Sequence, residues 1–233
     1  MATDDRYLFL PDLQIPYEAE HALKFCKRVQ AEFKIPSENV YNVGDELDLY
    51  WGSTHKKDPD ADMTPRQELR ESRKKIAQWI KAFPIMKLAI SNHGLRWLRK
   101  AFEADIPSEI LRSYRSLIDA PKSWIWKERW NIQASRARIA MIHGMGYSGQ
   151  NGHRNAAMDL GCNVVHGHLH SHAGISYINT DGREIYGFNV GCLIDTSSFA
   201  FKYGKYNRSK PVLGCGVVIN GGTTPIFIPY GSL

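Results

Sequence analysis

The stretch VVHGHLHSH, residues 164–172, carries a histidine at every second position from His166 to His172. On one continuous strand, all of these rings would point to the same face of a sheet. A histidine-rich face can bind a metal, titrate near neutral pH, or be an incidental property of a polar loop. The choice depends on which other residues the fold brings beside this stretch.

Four further clusters of potential metal ligands stand directly after short apolar runs. In chain order they are Asp12-Leu13-Gln14 after YLFLP, Gly44-Asp45-Glu46-Leu47-Asp48 after VYNV, Ser91-Asn92-His93-Gly94 after MKLAI, and His143-Gly144 after RIAMI. Any one cluster is weak, because a lone Gly-Asp is usually a turn and a lone histidine usually packs or is solvated. The carboxyl ends of strands in an α/β sheet share one edge, so all five clusters are expected to meet there.

The residue types in these clusters are those that bind transition metals. Carboxylates, imidazoles and one amide oxygen suit Mn²⁺, Fe, Zn²⁺ or Ni²⁺. The ligands outnumber the needs of one tetrahedral ion. They suit two adjacent ions, which lie about 3.5–4 Å apart in such sites.

The hydrophobic pattern predicts the elements that position these clusters. Strands are predicted at 7–10, 40–43, 86–90, 138–142 and 163–165, alternating with helices at 18–33, 66–83, 95–102, 108–118 and 155–160. A polar loop is expected at 52–65, and four β segments follow at 174–178, 184–190, 214–219 and 224–228. This order predicts an α/β fold with mixed pairing, in two sheets. The length of 233 residues favours a single domain spanning 1–233.

Composition restricts the partners and the compartment. The net charge of +6 permits an anionic partner without proving one. Much of the positive charge lies in Arg66–Phe83 and Leu95–Lys100, where a solvated helix face explains it equally well. No apolar run is long enough to cross a bilayer, and no signal peptide is evident. Four scattered cysteines predict reduced, partly buried thiols in a cytoplasmic protein.

Taken in order, the five clusters resemble the calcineurin-like metallophosphoesterase superfamily. Its signature is D-x-H, G-D-x-x-D, G-N-H-E/D, a lone H and G-H-x-H, and the match covers Asp12 to His170. The sequence is most similar in character to small phage-encoded or bacterial members. If the chain is phage-encoded, its expected location is the host cytoplasm. The resemblance implies a four-layer αββα sandwich of two mixed β-sheets, with a dimetal site at the carboxyl ends of the strands.

The resemblance also implies a role for each matching residue. Asp12 and His170 would bind the first metal, with Gln14 at a ligand position. Asp45 would bridge the two metals. The second metal would be bound by Asn92, His143 and His168. His93 would be the general acid or a transition-state stabiliser at the leaving group, and Asp48 would orient it. In the histidine stretch, Val164 and Val165 then belong to the strand, and a loop begins at Gly167. His166 packs at the strand end and His172 lies at the rim.

The chemistry that follows is hydrolysis of a phosphoester. Two cations, with Mn²⁺ expected first and Fe, Zn²⁺ or Ni²⁺ as alternatives, polarise the phosphoryl oxygens. They also lower the pKa of a bridging water, which supplies hydroxide near neutral pH. A leaving alkoxide needs a proton, which His93 would supply. The Asp48 carboxylate would keep His93 protonated and aimed.

Three positions depart from the family pattern or extend it. Gln14 stands where the family usually has histidine, so the first site is expected to be weak, Mn²⁺-preferring or completed by water. The alternative is that Gln14 points away and only caps the loop at Ile15-Pro16. Leu49 stands where serine/threonine protein phosphatases carry an arginine, which counts against that activity. Arg96 is placed to contact phosphate, although a surface role explains it equally well.

A glycine-rich loop after His143 offers further candidates for substrate binding. Tyr147, His153 and Arg154 lie in or just after this loop and could line a pocket. For each residue taken alone, a solvated loop that leads into a helix is the simpler explanation.

These patterns favour a phosphodiesterase or nuclease, with a phosphoester such as DNA or RNA as the substrate. Modest support comes from the basic charge and from five tryptophans: Trp51, Trp97, Trp124, Trp126 and Trp130. The last three of these fit a core or interface better than a base-stacking surface. One alternative is a phosphomonoesterase acting on phosphoproteins or small phosphates. The other is a metal-stabilised nucleic-acid-binding protein whose catalysis is weakened by Gln14. The natural substrate and the oligomeric state are left open.

Overall fold

A computed structural model of the chain describes residues 5–54, 61, 63–198 and 208–233. Its strands are β1 (Tyr7–Leu10), β2 (Val40–Asn42), β3 (Met86–Ala89), β4 (Trp124–Lys127), β5 (Arg129–Gln133), β6 (Arg138–Ile142), β7 (Asn163–His166), β8 (Gly174–Thr180), β9 (Arg183–Asn189), β10 (Gly214–Ile219) and β11 (Thr224–Pro229). Its α-helices are α1 (Ala22–Glu32), α2 (Pro65–Ala82), α3 (Arg96–Glu103), α4 (Tyr114–Leu117) and α5 (Gly152–Leu160).

The strands form two mixed sheets. In the first sheet the order is β11-β10-β1-β2-β3-β4. Strands β1 to β4 pair in parallel, and β10 pairs antiparallel with both β1 and β11. In the second the order is β5-β6-β7-β9-β8, with a parallel centre of β6, β7 and β9 between antiparallel edges. The prediction of two mixed sheets is therefore confirmed.

Three buried clusters show the order of the layers. Alternate residues of β1 face opposite sides, so Phe9 packs between the two sheets while Leu8 packs against helices. The helix-facing side of the first sheet is covered by α1 and α2, with Phe25 and Trp79 in the same cluster. On the outer side of the second sheet, Ala156 of α5 packs in the third cluster. The result is the four-layer αββα sandwich that the sequence predicts.

Helix α2 shows how local sequence fixes an element beside the site. The Thr64 side chain accepts a hydrogen bond from the backbone N–H of Gln67, whose side chain accepts one from Thr64 in return. Pro65 at the first helical position is preorganised for the helix. The buried face runs through Ser72, Ile76 and Trp79, and also contains a carboxylate, Glu68. This helix therefore carries a buried, titratable carboxyl group into the fold.

Two parts of the secondary structure differ from the prediction. The predicted helix at 108–118 is broken into a 3₁₀ turn at Ser108–Ile110 and the short helix α4, because Ser113 caps a new start at Tyr114 by accepting the Ser116 backbone N–H. Strands β4 and β5 were not predicted, and they carry three tryptophans that pack against the core: Trp124, Trp126 and Trp130. The expectation that these rings serve the core is confirmed. The predicted loop at 52–65 lies largely outside the described residues.

Two expectations from composition concern the cysteines and membranes. All four cysteines are buried and unpaired, as predicted for structural thiols. Within the described part of the chain, none of the helices has both the length and the apolar character that a bilayer span requires. The single-domain assignment stays a prediction.

Candidate metal centre

Five loops meet at the carboxyl ends of the central strands. Strands β1, β2 and β3 lead into Asp12, Asp45 and Asn92, while β6 and β7 lead into His143 and the histidine stretch. One ligand atom from each of Asp12, Asp45 and His170 lies within 4.8 Å of the others. The structure thus brings together clusters that the sequence separates by as many as 158 residues.

The Asp12 carboxylate is completely buried and joins the first loop to the histidine loop. Its Oδ2 accepts hydrogen bonds from the His168 backbone N–H at 2.9 Å and from His170 Nε2 at 3.0 Å. Burial tends to lower the pKa of His170, but this hydrogen bond and the charge of Asp12 raise it above its usual value. Asp12 Oδ1 is buried without a hydrogen-bond partner.

Asp45 lies between the two groups of ligands. Its Oδ2 is 3.5 Å from His143 Nε2 and 3.7 Å from His93 Nε2, while its Oδ1 accepts the His93 backbone N–H at 3.2 Å. Burial alone would raise the pKa of Asp45. The neighbouring His143 and His93 outweigh burial and hold this pKa below its usual range, so the carboxylate stays ionised.

The second group contains His143, Asn92 and His168. His143 Nδ1 lies 2.9 Å from the backbone carbonyl of Val43, which can only accept, so Nδ1 carries the proton and Nε2 presents a lone pair. That Nε2 is 2.7 Å from Asn92 Oδ1. The His168 ring is 5.0 Å from the His143 ring, centroid to centroid, and burial lowers the pKa of His168.

These donors fit a pair of divalent cations. The unpartnered Asp12 Oδ1 is a buried acceptor that a cation would satisfy, and such unpartnered atoms are rare in folded proteins. His143 Nε2 and Asn92 Oδ1 both present lone pairs and lie 2.7 Å apart, so one cation could accept both. The set contains nitrogen and oxygen donors without thiolates, which suits Mn²⁺, Fe or Zn²⁺.

The backbone around the centre is bent to bring the loops together. Gln14, Asp45, Leu49 and His168 all have positive φ, between 50° and 68°. Such a conformation costs of order 1–3 kcal/mol for a residue other than glycine and tends to cluster at functional sites. Gly167 has no such φ but is needed for close approach, since a Cβ there would collide with Asp12 Oδ1.

His93 forms a hydrogen-bonded unit with Asp48 and Arg96. His93 Nδ1 lies 2.9 Å from Asp48 Oδ1 and 3.0 Å from the Asp48 carbonyl, so Nδ1–H donates and the ring is held in one orientation. Arg96 Nη1 donates to the same Asp48 Oδ1 at 2.5 Å, and its Nη2 lies 2.9 Å from His93 Nε2. The unit aims Nε2 of His93 toward Asp45 and the metal ligands.

The surface role considered for Arg96 is wrong. Its side chain is 10% exposed and is held by the buried carboxylate of Asp48, because α3 begins just after the His93 loop. Because a guanidinium can only donate, Nη2 occupies the lone pair of His93 Nε2 in this structure. A contact between Arg96 and phosphate stays a prediction.

The alternative in which Gln14 points away from the centre is also wrong. Its Nε2 lies 3.4 Å from His93 Nε2 and 3.3 Å from His170 Nε2, and its Oε1 is buried without a partner. A half-turn of the amide would exchange Nε2 for the oxygen. Gln14 is therefore placed either to ligate the first metal through Oε1 or to hydrogen-bond the two imidazoles beside it.

Replacing Gln14 with histidine is expected to strengthen the first metal site. An imidazole binds borderline metals more tightly than an amide oxygen does. We expect the Kd of that site to fall at least about tenfold, equal to about 1.4 kcal/mol, with a shift toward Zn²⁺. Calorimetric titration of Gln14→His and wild type with Mn²⁺ and Zn²⁺ tests this, and the second site serves as the internal control. Equal first-site affinities would remove Gln14 from the coordination shell.

Glu68 is a buried carboxylate behind the His93 unit. It accepts the backbone N–H of Tyr50 at 2.7 Å and of Trp51 at 3.3 Å, in the turn that follows Asp48. Burial, followed by the charge of Asp48, raises the pKa of Glu68 to about 7. Glu68 thus ties α2 to the Asp48 loop and sits near ionisation equilibrium at neutral pH.

This raised pKa predicts how stability depends on pH. Between the ordinary pKa of 4.5 and about 7, the folded chain holds the Glu68 proton that the unfolded chain has lost. The free energy of unfolding therefore falls as pH rises through this window. Glu68→Gln should remove this fall in the free energy of unfolding, which amounts to about 1–3 kcal/mol. The stability of the variant relative to wild type should therefore rise from pH 4.5 to pH 7.5. Urea unfolding of the metal-free proteins measures it. Glu71→Gln, on the outer side of α2, is the matched control, and parallel curves for Glu68→Gln and wild type would contradict the prediction.

The remaining histidines of the stretch take the positions expected of them. Strand β7 ends at His166, which is fully buried and bonded through Nδ1 to the Gly167 carbonyl. Burial lowers the pKa of His166 to about 3, so the ring is neutral. His172 is half-buried, with its ring 5.0 Å from that of His153.

Of the three substrate-binding candidates in or after the glycine-rich loop, His153 packs inside the protein. His153 is buried in α5 and hydrogen-bonds Ser176 of β8 at 2.8 Å, so its position supports a packing role beneath the loop instead of contact with substrate. Tyr147 is half-buried and its hydroxyl interacts with Asp159 of α5, which, after burial, helps to raise its pKa. Arg154 is exposed. Substrate contacts by Tyr147 and Arg154 stay predictions.

Several residues shape the centre although the sequence analysis gave them no role there. Ser91 Oγ accepts the backbone N–H of Asp45 at 3.0 Å and of Gly94 at 3.2 Å, which joins the Asp45 loop to the His93 loop. Glu68 and the Val43 carbonyl act on the site from other elements. Only the place of Ser91, directly before Asn92, gives a signal in the sequence.

Comparisons with known proteins establish the fold. No protein-family model matches the sequence, and no curated protein matches it either. The structure is similar to Vacuolar Protein Sorting 29 from Cryptosporidium parvum, with a TM-score of 0.50 and 15% identity over 95% of this chain and 88% of that one. It also matches an archaeal phosphodiesterase (TM-score 0.47, 11% identity, 96% and 99% covered) and the E. coli phosphoesterase Yfce (0.44, 13%, 91% and 87%).

At these identities the likeness concerns the fold alone. The chain shares the fold of that sorting protein, and its two mixed sheets between helices form the αββα sandwich that the sequence analysis predicts.

Proposed function

We propose that the chain is a metal-dependent phosphoester hydrolase with two divalent cations, and more narrowly a phosphodiesterase or nuclease. The observation that carries the proposal is the His93–Asp48 pair, aimed at a convergent set of ligands. A metal site with a purely structural role needs no such histidine. The sequence resemblance supports the same reading.

The ligands divide between the two cations as the motif order suggests. Asp12 and His170, with Gln14 beside them, would hold the first cation, Asp45 would lie between both, and the second cation would be held by Asn92, His143 and His168. When bound, the pair would polarise the phosphoryl group and activate water. Because His170 Nε2 donates to Asp12, His170 would have to give up that proton to hold a cation through this nitrogen.

The residues around His93 supply the rest of the chemistry. Asp48 fixes the Nδ1 proton, so Nε2 is the atom that would take up a second proton from water once Arg96 Nη2 moves away, and would pass that proton to the leaving oxygen. Arg96 Nη2 covers Nε2 in the structure, and an incoming phosphoester would draw this guanidinium to its own oxygens. Nη1 remains on Asp48, so Arg96 can make this contact without leaving its buried position.

Charge supports a polyanionic substrate such as DNA or RNA. Helices α2 and α3 both adjoin the 3₁₀ turn Tyr50–Gly52 that follows Asp48. Both helices carry exposed arginines, among them Arg70 and Arg99, and the whole chain has a net charge of +6. Such a field favours binding of phosphodiester backbones.

A metal-by-substrate panel tests the proposal. Purified protein would be loaded with Mn²⁺, Fe²⁺, Zn²⁺ or Ni²⁺ and assayed on bis-p-nitrophenyl phosphate, p-nitrophenyl phosphate, and single- and double-stranded DNA and RNA. We expect Mn²⁺-dependent turnover of the diester above that of the monoester. Preference for the monoester would favour the phosphomonoesterase. Binding of nucleic acid with no turnover under any metal would favour a non-catalytic binding protein.

A further inference from the structure

Two buried asparagines stand at equivalent places in the two sheets. Asn42 is the last residue of β2 and Asn189 is the last residue of β9, and both are 0% exposed. Each opens the sequence Asn-Val-Gly, and each is followed six residues later by an aspartate, Asp48 or Asp195. The same short sequence thus ends one parallel strand in each sheet, at the edge where the metal ligands meet.

Asn42 joins the loop of Asp12 to the loop of Asp45. Its Nδ2 donates to the carbonyl of Pro11 at 3.0 Å and lies 3.5 Å from that of Leu10, just before Asp12. Its Oδ1 accepts the Gly44 N–H at 2.9 Å, just before Asp45. One side chain therefore sets the spacing of two backbone segments, and each of these segments leads directly into a metal ligand.

Asn189 does the same for the histidine loop. Its Nδ2 donates to the carbonyls of Leu169 at 3.0 Å and His172 at 2.8 Å, on either side of His170. Its Oδ1 accepts the Gly191 N–H at 3.2 Å. Two residues further on, Leu193 N–H donates to the Asp12 carbonyl at 2.8 Å. The chain from Asn189 to Leu193 therefore holds the backbone of both Asp12 and the His170 loop.

The glycine of each repeat is required by the geometry. Gly44 has φ of 107° and Gly191 has φ of 73°. A Cβ at Gly44 would lie 2.8 Å from His143 Nδ1, and one at Gly191 would lie 2.6 Å from the Val212 carbonyl. The amide of each asparagine is bonded through both nitrogen and oxygen, so its orientation is fixed by its partners.

We propose that Asn42 and Asn189 are paired positioning residues for the first metal. Asn42 holds the backbone before Asp12, and Asn189 holds the backbone on either side of His170. The side chains of these two ligands meet at 3.0 Å and would form that site. Their hydrogen bonds set the distance between these two ligands before any cation arrives. This inference rests on the proposed dimetal function. It means that the backbone on which the first-site ligands lie is held in place before a metal binds.

Substitution by aspartate tests this role at constant size. Asn189→Asp removes the Nδ2 donors and places an oxygen against the Leu169 and His172 carbonyls. We expect the Kd of the first site for Mn²⁺ to rise about 10–100-fold, as for other residues that orient ligands, while the second site changes less. Asn42→Asp should act in the same direction. Turnover should recover at saturating Mn²⁺, because His93 and Asp48 are untouched.

Asn163→Asp is the matched control. Asn163 is a buried asparagine at the opposite end of β7, and its Oδ1 accepts the Tyr186 N–H at 3.0 Å, which a carboxylate oxygen can also do. This variant should leave both metal affinities unchanged. Calorimetric Mn²⁺ titration gives the two affinities, and near-UV circular dichroism checks that each protein is folded. Asn189→Ser, which keeps one donor and no charge, serves as a milder second variant.

The outcomes separate this inference from the proposed function. Folded Asn189→Asp or Asn189→Ser with wild-type first-site affinity overturns the inference alone. Failure of both variants to fold makes Asn189 a structural residue and overturns it as well. A wild-type protein that binds no Mn²⁺ and hydrolyses no phosphoester overturns the dimetal function itself.

Discussion

Asp45→Asn should abolish binding of both metals and reduce turnover to background. Asp45 is the carboxylate between the two ligand groups, with Oδ2 at 3.5 Å from His143 Nε2 and 3.7 Å from His93 Nε2. A neutral amide removes the charge shared by two cations, so both should be lost together. The loss of turnover should exceed the factor of about 10²–10⁴ expected for a missing general acid.

Metal analysis after reconstitution with Mn²⁺ measures this directly. Wild type should hold about two ions per chain and Asp45→Asn almost none. Asp119→Asn is the control, since its side chain is 74% exposed and pairs with Arg73 at the surface. A wild-type stoichiometry fixed at one, with full activity, would rule out the two-metal mechanism. Retention of one ion by Asp45→Asn would show that Asp45 serves a single site.

The convergence of the candidate ligands at one edge could be predicted from the sequence because the signal is local. Each ligand follows directly after an apolar run, and strand direction alone brings these positions to one edge. Asp12 and His170 are therefore found from their own neighbours, although 158 residues separate them. The two sheets and the position of His166 at the end of β7 followed from the same reasoning.

The environment of the ligands could not be predicted, because it depends on contacts between distant segments. Arg96 reads as a surface helix residue, but the start of α3 turns it inward onto Asp48. Glu68 reads as one of many charges in a polar helix, yet it is buried against the turn after Asp48. His153 lies in a glycine-rich loop by sequence and packs on Ser176 in space.

The asparagine repeat shows a third situation. Asn-Val-Gly occurs in plain view at Asn42 and Asn189, but a match of three residues arises readily by chance. Its meaning comes from the hydrogen bonds of the two amides, which reach across loops to the carbonyls around Asp12 and His170. A short repeat becomes informative only when the fold places both copies at the same edge.

His93→Ala should keep both metals and lose catalysis. The His93 side chain is held by Asp48 at 2.9 Å, while its Nε2 lies 3.7 Å from Asp45 Oδ2, so it faces the site beside the ligand set. We expect kcat/KM to fall about 10²–10⁴-fold on a substrate with an alkoxide leaving group. Metal stoichiometry should remain that of wild type. His21→Ala, which removes an exposed histidine next to α1, controls for the loss of an imidazole elsewhere.

The dependence on the leaving group distinguishes a general acid from other roles of His93. An alkoxide, such as the sugar oxygen of a dinucleotide, must be protonated as it departs, whereas a nitrophenolate can leave without a proton. The defect of His93→Ala should therefore be large on a dinucleotide and much smaller on bis-p-nitrophenyl phosphate. Asp48→Asn should show the same pattern more weakly, because it loosens the ring without removing it. Equal losses on both substrates would mean that His93 stabilises charge on the phosphoryl group and donates no proton, since that stabilisation does not depend on the leaving group.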